Sequence, residues 1–100
     1  MQIPDNCPAE NLLKVLSGKW KPQLFRLAIE GPMRFNTLLK QLPGCTRQSL
    51  NVALKDLENE GILSRTVIKE KPLHIEYSLT EKGSSLIGIF RDIELILKQH

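Results

Sequence analysis

The stretch from Thr46 to Gly61 constrains this chain more than any other. Leu50, Ala53, Leu54 and Leu57 recur there at helical spacing and form one apolar stripe. Thr46 suits the N-cap, where its hydroxyl accepts from an otherwise unpaired amide. Gly61 suits the residue just past the end, where a helix closes in a left-handed conformation. A capped helix with one apolar stripe must lay that stripe on a core. Its opposite face carries Gln48, Asn51, Val52 and Lys55, with Arg47 at the margin. Arg, Gln and Asn can each make paired hydrogen bonds to base edges, and an exposed Val suits a thymine methyl. Lys55 can approach a phosphate. An ordinary solvated face would more often carry Glu and Lys throughout. On this helix alone, a DNA-reading face and an ordinary surface face stand about even.

The residues on either side shift that balance. Ile62 to Ile68 is rich in β-branched residues, Leu73 to Leu79 alternates, and both read as strands. The connection Lys69-Glu70-Lys71-Pro72 is too polar for a core, so the pair forms an antiparallel hairpin with a basic tip. Upstream, Met33 to Phe35 reads as a short edge strand. Asn36 reads as the N-cap of a helix over Thr37 to Gln41, with Leu38, Leu39 and Leu42 turned inward. Pro43-Gly44-Cys45 is a tight turn into Thr46. Two short helices joined by a tight turn, the second polar on its outer face, form a helix-turn-helix pattern. The hairpin then reads as a wing. Lys69, Lys71 and His74 can reach phosphates or a neighbouring minor groove. A charged tip that only keeps the hairpin soluble is the plainer alternative, and the preceding helix-turn-helix argues for the functional one. His74 has no Cys or second His near it, which argues against a metal site.

The ends of the chain read differently. Met1 to Pro8 contains Pro4 and Pro8 and reads as an extended arm, with Cys7 near its end. Ala9 to Leu16 is a short helix carrying Leu12, Leu13 and Leu16 on one face. Cys7 lies ahead of that helix, where the dipole lowers a thiol pKa; filling a gap as a small hydrophobe stands equally open. After Ser17-Gly18, Pro22 fits the first turn of a helix reaching about Glu30. Leu24, Phe25, Leu27, Ala28 and Ile29 supply its core, and Trp20 reads as core or interface packing. Cys45 is either a dipole-activated thiol or a packed turn residue, the latter favoured. Thr80 caps a last helix with Glu81 in its first turn. Leu86, Ile87, Ile89, Phe90, Ile93, Leu95, Ile96 and Leu97 give it more apolar surface than one exposed terminal helix needs. Part of that surface is expected on a second copy of the chain.

One hundred residues with 41% hydrophobic content make one globular domain over 1–100, with the arm at 1–8 and a dimerisation helix over 80–98. A core this small is marginal, which also favours an oligomer. A net charge of +3 favours an anionic partner only weakly. No membrane span or signal peptide is read, so a cytoplasmic protein with reduced cysteines is expected. Two cysteines make neither a disulfide scaffold nor a zinc site, and no cofactor loop, internal repeat or low-complexity segment is present.

The pattern resembles a family of bacterial transcriptional regulators, the HxlR type (DUF24), relatives of the MarR-like regulators. The residues that carry the resemblance are Cys7-Pro8, Gly18-Lys19-Trp20-Lys21, Arg34-Phe35-Asn36 and Leu50 with Leu54 through Leu57. Glu60-Gly61-Ile62 followed by Arg65, and Glu76-Tyr77-Ser78-Leu79-Thr80 with Gly83, complete it. The resemblance spans about Cys7 to Leu97, and its motifs are specific only in this order and spacing. It implies a mainly α winged helix-turn-helix fold with an added N-terminal helix and a long C-terminal dimerisation helix. It also implies a homodimer on operator DNA, with the first and last helices building the dimer interface. In some members the cysteine matching Cys7 senses electrophiles or oxidants. This chain departs at Pro72-Leu73-His74, where the family often has a Pro-Pro-basic wing, and at Cys45, where an aliphatic residue is common. The second departure opens a disulfide between Cys7 of one subunit and Cys45 of the other, ranked below a single-cysteine sensor or no sensor.

The expectation is therefore a DNA-binding regulator, not an enzyme, that needs no cofactor or metal and answers to an oxidant or small-molecule inducer. Arg47, Gln48, Asn51 and Val52 are expected to read bases. Arg34, Thr46, Ser49, Lys55, Arg65, Lys69, Lys71 and His74 are expected on the DNA backbone. Leu12, Ile89, Phe90, Ile93, Ile96 and Leu97 are expected at the dimer interface. A winged helix used only for protein contact, and a small thiol redox enzyme built on Cys7, are the two other classes. The outward polar set on the Thr46 to Gly61 helix argues against the first. The absence of Cys-x-x-Cys argues against the second.

Overall fold

The computed structural model describes residues 8–98. The Cys7 expectations and residues 1–7 of the arm therefore lie outside the described residues, while Pro8, expected in the arm at 1–8, opens the first helix. Six helices and one hairpin follow in order: α1 (Pro8–Val15), α2 (Lys21–Glu30), α3 (Phe35–Gln41), α4 (Arg47–Asn59), β1 (Leu63–Lys69), β2 (His74–Leu79), α5 (Glu81–Ser85) and α6 (Ile87–Lys98). This is the helix-turn-helix followed by a wing that the sequence predicts. No helix among the described residues is long and apolar enough to cross a membrane.

The stripe on α4 forms the centre of the core. Leu50, Leu54 and Leu57 are almost wholly buried and Ala53 nearly so, packed with Leu24, Phe25 and Ala28 of α2 and with Leu38 and Leu42. Both predicted caps form. The Thr46 hydroxyl accepts from the Ser49 amide at 3.0 Å. At the far end Gly61 takes φ +75°, the Gly61 amide donates to Glu58 O and the Ile62 amide donates to Leu57 O, both at 2.9 Å. This paired closure draws the buried side chains of Leu57 and Ile62 together at the helix end.

The C-terminal segment returns to that closure and locks it. The Thr80 amide donates to Ile62 O at 3.0 Å, and the Thr80 hydroxyl donates to Gly61 O. The same hydroxyl accepts from the Gly83 amide at 3.0 Å, which caps α5. Lys82 Nζ donates to Glu60 O at 2.6 Å. Gly83 is required here by close approach, because a Cβ at this position would sit 2.3 Å from Ile62 O.

The hairpin is antiparallel, pairing Leu63 with Leu79, Arg65 with Tyr77 and Val67 with Ile75, with a bulge between Val67 and Lys69. Its strands begin one residue later than the sequence pattern suggests. Beyond Leu63 all of β1 is exposed. The expected edge strand at Met33 to Phe35 is reduced to one bridge between Met33 and Tyr77, closed by two backbone hydrogen bonds of 2.8 Å. Asn36 is not the N-cap of α3. That position is Arg34, extended and without a side-chain cap bond, because the chain leaves the bridge at Met33 and coils at once from Phe35. The helical run predicted from Thr80 is present, with one non-helical residue, Leu86, between α5 and α6.

Phe90 needs a correction. It is buried within its own subunit, its ring meeting Phe25 edge-on at 4.8 Å between centroids, rather than offered to a second copy. Arg26 of α2 and Glu94 form an ion pair one helical turn further along α6. These two contacts tie one face of α6 to α2 and leave the adjacent stripe, Ile89, Ile93 and Ile96, exposed.

The Gly83 contact makes a direct prediction. Gly83→Ala places a methyl against the Ile62 carbonyl, and overpacking of this kind costs about 1–3 kcal/mol. Gly88, in α6, has nothing within 4 Å of the corresponding Cβ position. Gly88→Ala should therefore add up to about 1 kcal/mol through helix propensity. Urea unfolding of the two variants checks the contrast; equal effects would contradict the close approach at Ile62.

Candidate nucleic-acid interface

With its apolar stripe buried, α4 turns the opposite face outward. Arg47, Gln48, Asn51, Val52 and Lys55 are all exposed, and Val52 keeps 55% of its surface accessible. Gln48 and Val52, and likewise Asn51 and Lys55, stand four residues apart, so the four side chains share one side of the helix. Exposing Val beside two amide side chains has no folding benefit, but it gives the row a methyl-seeking member between base-edge hydrogen-bonding groups.

Arg47 stands at the first turn of α4, its guanidinium 5.8 Å from the centre of the Phe35 ring. The contact bridges the two helices of the helix-turn-helix and holds the charge near the start of the row. Thr46 and Ser49 are tied to each other: the Thr46 hydroxyl donates to Ser49 Oγ at 3.0 Å while accepting from the Ser49 amide. Their first task is capping, and the Ser49 hydroxyl keeps its own hydrogen for an outside acceptor.

Of the expected backbone-contacting residues, Arg34, Arg65, Lys69 and Lys71 are exposed along the third helix start and the wing. Arg34 and Leu73 line a common hollow of about 340 Å³ with Phe35 and Asn36, which sets the start of α3 beside the wing. His74 corrects the expectation. Its Nε2 is buried and lies 2.9 Å from Glu76 Oε2 on the same strand, so that nitrogen is occupied within the hairpin and not offered to a phosphate. The alternating strand pattern put His74 outward, but pairing with Glu76 two residues along the same face holds it down. The wing tip also presents apolar surface, with Val67, Ile68 and Leu73 exposed on either side of the two lysines.

Cys45 is half-buried in the turn before α4, its thiol donating weakly to Thr46 O at 3.6 Å. Desolvation by burial raises the thiol pKa, and the positive charge of Lys19 pulls the other way. At neutral pH Cys45 is thus a protonated thiol, as a packed turn residue would be.

The sequence pattern gives Lys19 no role beyond the family resemblance and suits Trp20 to packing. The structure packs Trp20 partly against the core and sets Lys19 Nζ 4.8 Å from the centre of its ring. Lys19 and Trp20 share a hollow with Gln48, Ser49 and Val52 of α4. Two lysines around a Trp, immediately ahead of a helix opened by Pro22, were the available signal.

A family model described as HxlR-like helix-turn-helix matches residues 15–100. The HTH-type transcriptional regulator YdeP of Bacillus subtilis (strain 168), itself uncharacterised, is 42% identical over 82 residues. The alignment covers 82% of this chain and 64% of YdeP, so the chain spans less than two thirds of that relative's length. Among solved structures, the reduced form of the redox regulator HypR is 36% identical with a TM-score of 0.82, covering 94% of this chain and 100% of that one. HypR in its oxidised form also superposes, at 38% identity and TM-score 0.82, with coverage of 94% and 97%. The reduced form of the transcriptional regulator YodB from B. subtilis is 30% identical with a TM-score of 0.84, with coverage of 94% and 93%.

Proposed function

The chain belongs to the HxlR-like helix-turn-helix family, and from that premise we propose that it regulates transcription by binding a near-palindromic operator as a homodimer. The observation that carries this reading is the division of α4. Its apolar stripe is buried in the core and its other face presents Gln48, Asn51, Val52 and Lys55 to solvent. Two copies of α4 enter successive major grooves about 34 Å apart. Arg47, Gln48, Asn51 and Val52 read bases, while Arg34, Lys55, Arg65, Lys69 and Lys71 hold phosphates. The second copy covers the free stripe on α6. Ile89, Ile93 and Ile96 point away from α2, and Leu97 and Leu13 of α1 are 69% and 68% exposed. Apolar surface gathered on the two terminal helices suits a self-complementary interface, and Leu12 adjoins it. Asn51→Ala should remove about 1–3 kcal/mol of discrimination against the wrong base at one operator position. Competition binding against single-base operator variants measures this, and unchanged preference would show that Asn51 reads nothing.

A redox response is the second part of the reading, supported by the likeness to a redox regulator solved in reduced and oxidised forms. Cys7 is the attacking thiol. A hydroperoxide oxidises its thiolate to sulfenic acid, and the peroxide is reduced to an alcohol or water. The modified Cys7 alone carries the signal; a disulfide to Cys45 of the second copy ranks below it, and forms where the Cys45 thiol gives up its proton, attacks the sulfenic sulfur and releases water. Peroxide should change operator affinity in the wild type and not in Cys7→Ser; a covalent dimer on a non-reducing gel that reverts with dithiothreitol and is absent in Cys45→Ser would move the response to the disulfide. A covalent dimer that persists in Cys45→Ser would transfer the link to Cys7 alone.

A further inference from the structure

The turn entering α2 and the outer side of α4 enclose an open hollow of about 360 Å³ that the base-reading row does not account for. Its apolar lining comes from Trp20, Val52 and Ala53, and its polar lining includes Lys19, Gln48 and Ser49. Two further lining residues cancel each other. Lys21 Nζ lies 3.4 Å from Asp56 Oδ2 and also donates to Lys14 O at 3.2 Å, so Lys21 is committed within the fold. Lys19 is not: among the described residues no carboxylate pairs with it, and its ammonium rests on the Trp20 ring. The hollow therefore presents one unneutralised cation held in place by an aromatic face.

We infer that this hollow receives one sugar–phosphate unit of the DNA backbone at the edge of the major groove, with Lys19 on the phosphate and the sugar against Trp20 and Val52. The inference rests on the DNA-binding reading above. Three observations select this occupant. The hollow is continuous with the outward row of α4, since Gln48 and Val52 belong to both. Its donors are cationic or neutral: Lys19, the Gln48 amide and the Ser49 hydroxyl, whose hydrogen is free because Thr46 donates to Ser49. And it is open along one side, as a groove that takes a polymer strand is, where a small-molecule pocket encloses most of its ligand. Trp20 is a positioning residue. Its ring restricts the lysine stem before binding, so less side-chain freedom is lost on contact.

The test is the salt dependence of binding to duplex DNA by the full chain, for the wild type, Lys19→Gln, Lys19→Arg and Lys21→Gln. A phosphate contact contributes about 0.9 to the slope of log affinity against log salt. Lys19→Gln should lower the slope by about that amount and weaken operator and random duplex by the same factor. Lys19→Arg should restore the slope. Lys21→Gln should leave the slope unchanged and lower thermal stability, because its charge is spent on Asp56. A wild-type slope in Lys19→Gln overturns the assignment while leaving the DNA reading in place. Weakening confined to the operator also overturns it, since Lys19 would then be reading a base. Absence of any salt-dependent duplex binding by the wild type overturns both.

Discussion

A hydrogen-bonded crossing between Glu60-Gly61-Ile62 and Thr80-Lys82-Gly83 fixes how the helices and the hairpin meet. It joins the end of α4, the base of the hairpin and the start of α5 at one point. Gly61 closes α4, the chain leaves as the first strand, and the hairpin must return within hydrogen-bonding distance of its own origin. Carbonyls left over at the end of α4 are taken up by Thr80 and Lys82. The approach is so close that only glycine fits at position 83. The orientation of the wing relative to α4 is therefore set by backbone geometry and not by the exposed side chains of the hairpin.

That rigidity matters for the proposed interface. The outward row of α4 has no packing of its own, so its direction is inherited from the buried stripe on the other side of the same helix. Fixing both helix ends, with Thr46 at one and the Gly61 closure at the other, holds the row in one pose without immobilising its side chains. The Arg47 contact with Phe35 and the Lys19 contact with Trp20 place two cations against aromatic faces beside the row. At the other end of the molecule, Phe25 against Phe90 and Arg26 with Glu94 hold α6 to α2. The free stripe of α6 thus has a fixed direction relative to α4, which a dimer with a set spacing between its two reading helices requires.

Much of this was legible in the sequence because it is local. The stripe of Leu50, Ala53, Leu54 and Leu57, the Thr46 and Thr80 caps, the Gly61 closure and the hairpin all follow from periodicity and capping chemistry within a few residues. What escaped depends on contacts across the chain. Asn36 has cap chemistry, but the bridge from Met33 to Tyr77 starts the helix two residues earlier. Phe90 looks like its apolar neighbours on α6 and differs only in meeting Phe25. His74 follows the strand alternation, yet its ring lies against Glu76 on the same face instead of reaching out. Lys19 gains meaning only because the turn before α2 lies beside α4, some thirty residues later in the chain. The outward face of α4 was legible as a candidate interface, and its neighbours in space were not.

Paired α4 helices reading one operator leave a two-part footprint on the duplex. Duplexes selected by the protein from a random pool would be probed with hydroxyl radicals and base-specific methylation. A paired reader gives a near-palindromic consensus with two protected major-groove segments about 34 Å apart, one turn of the duplex. A single unpaired protected segment, or a pool that gains no consensus, would contradict paired reading.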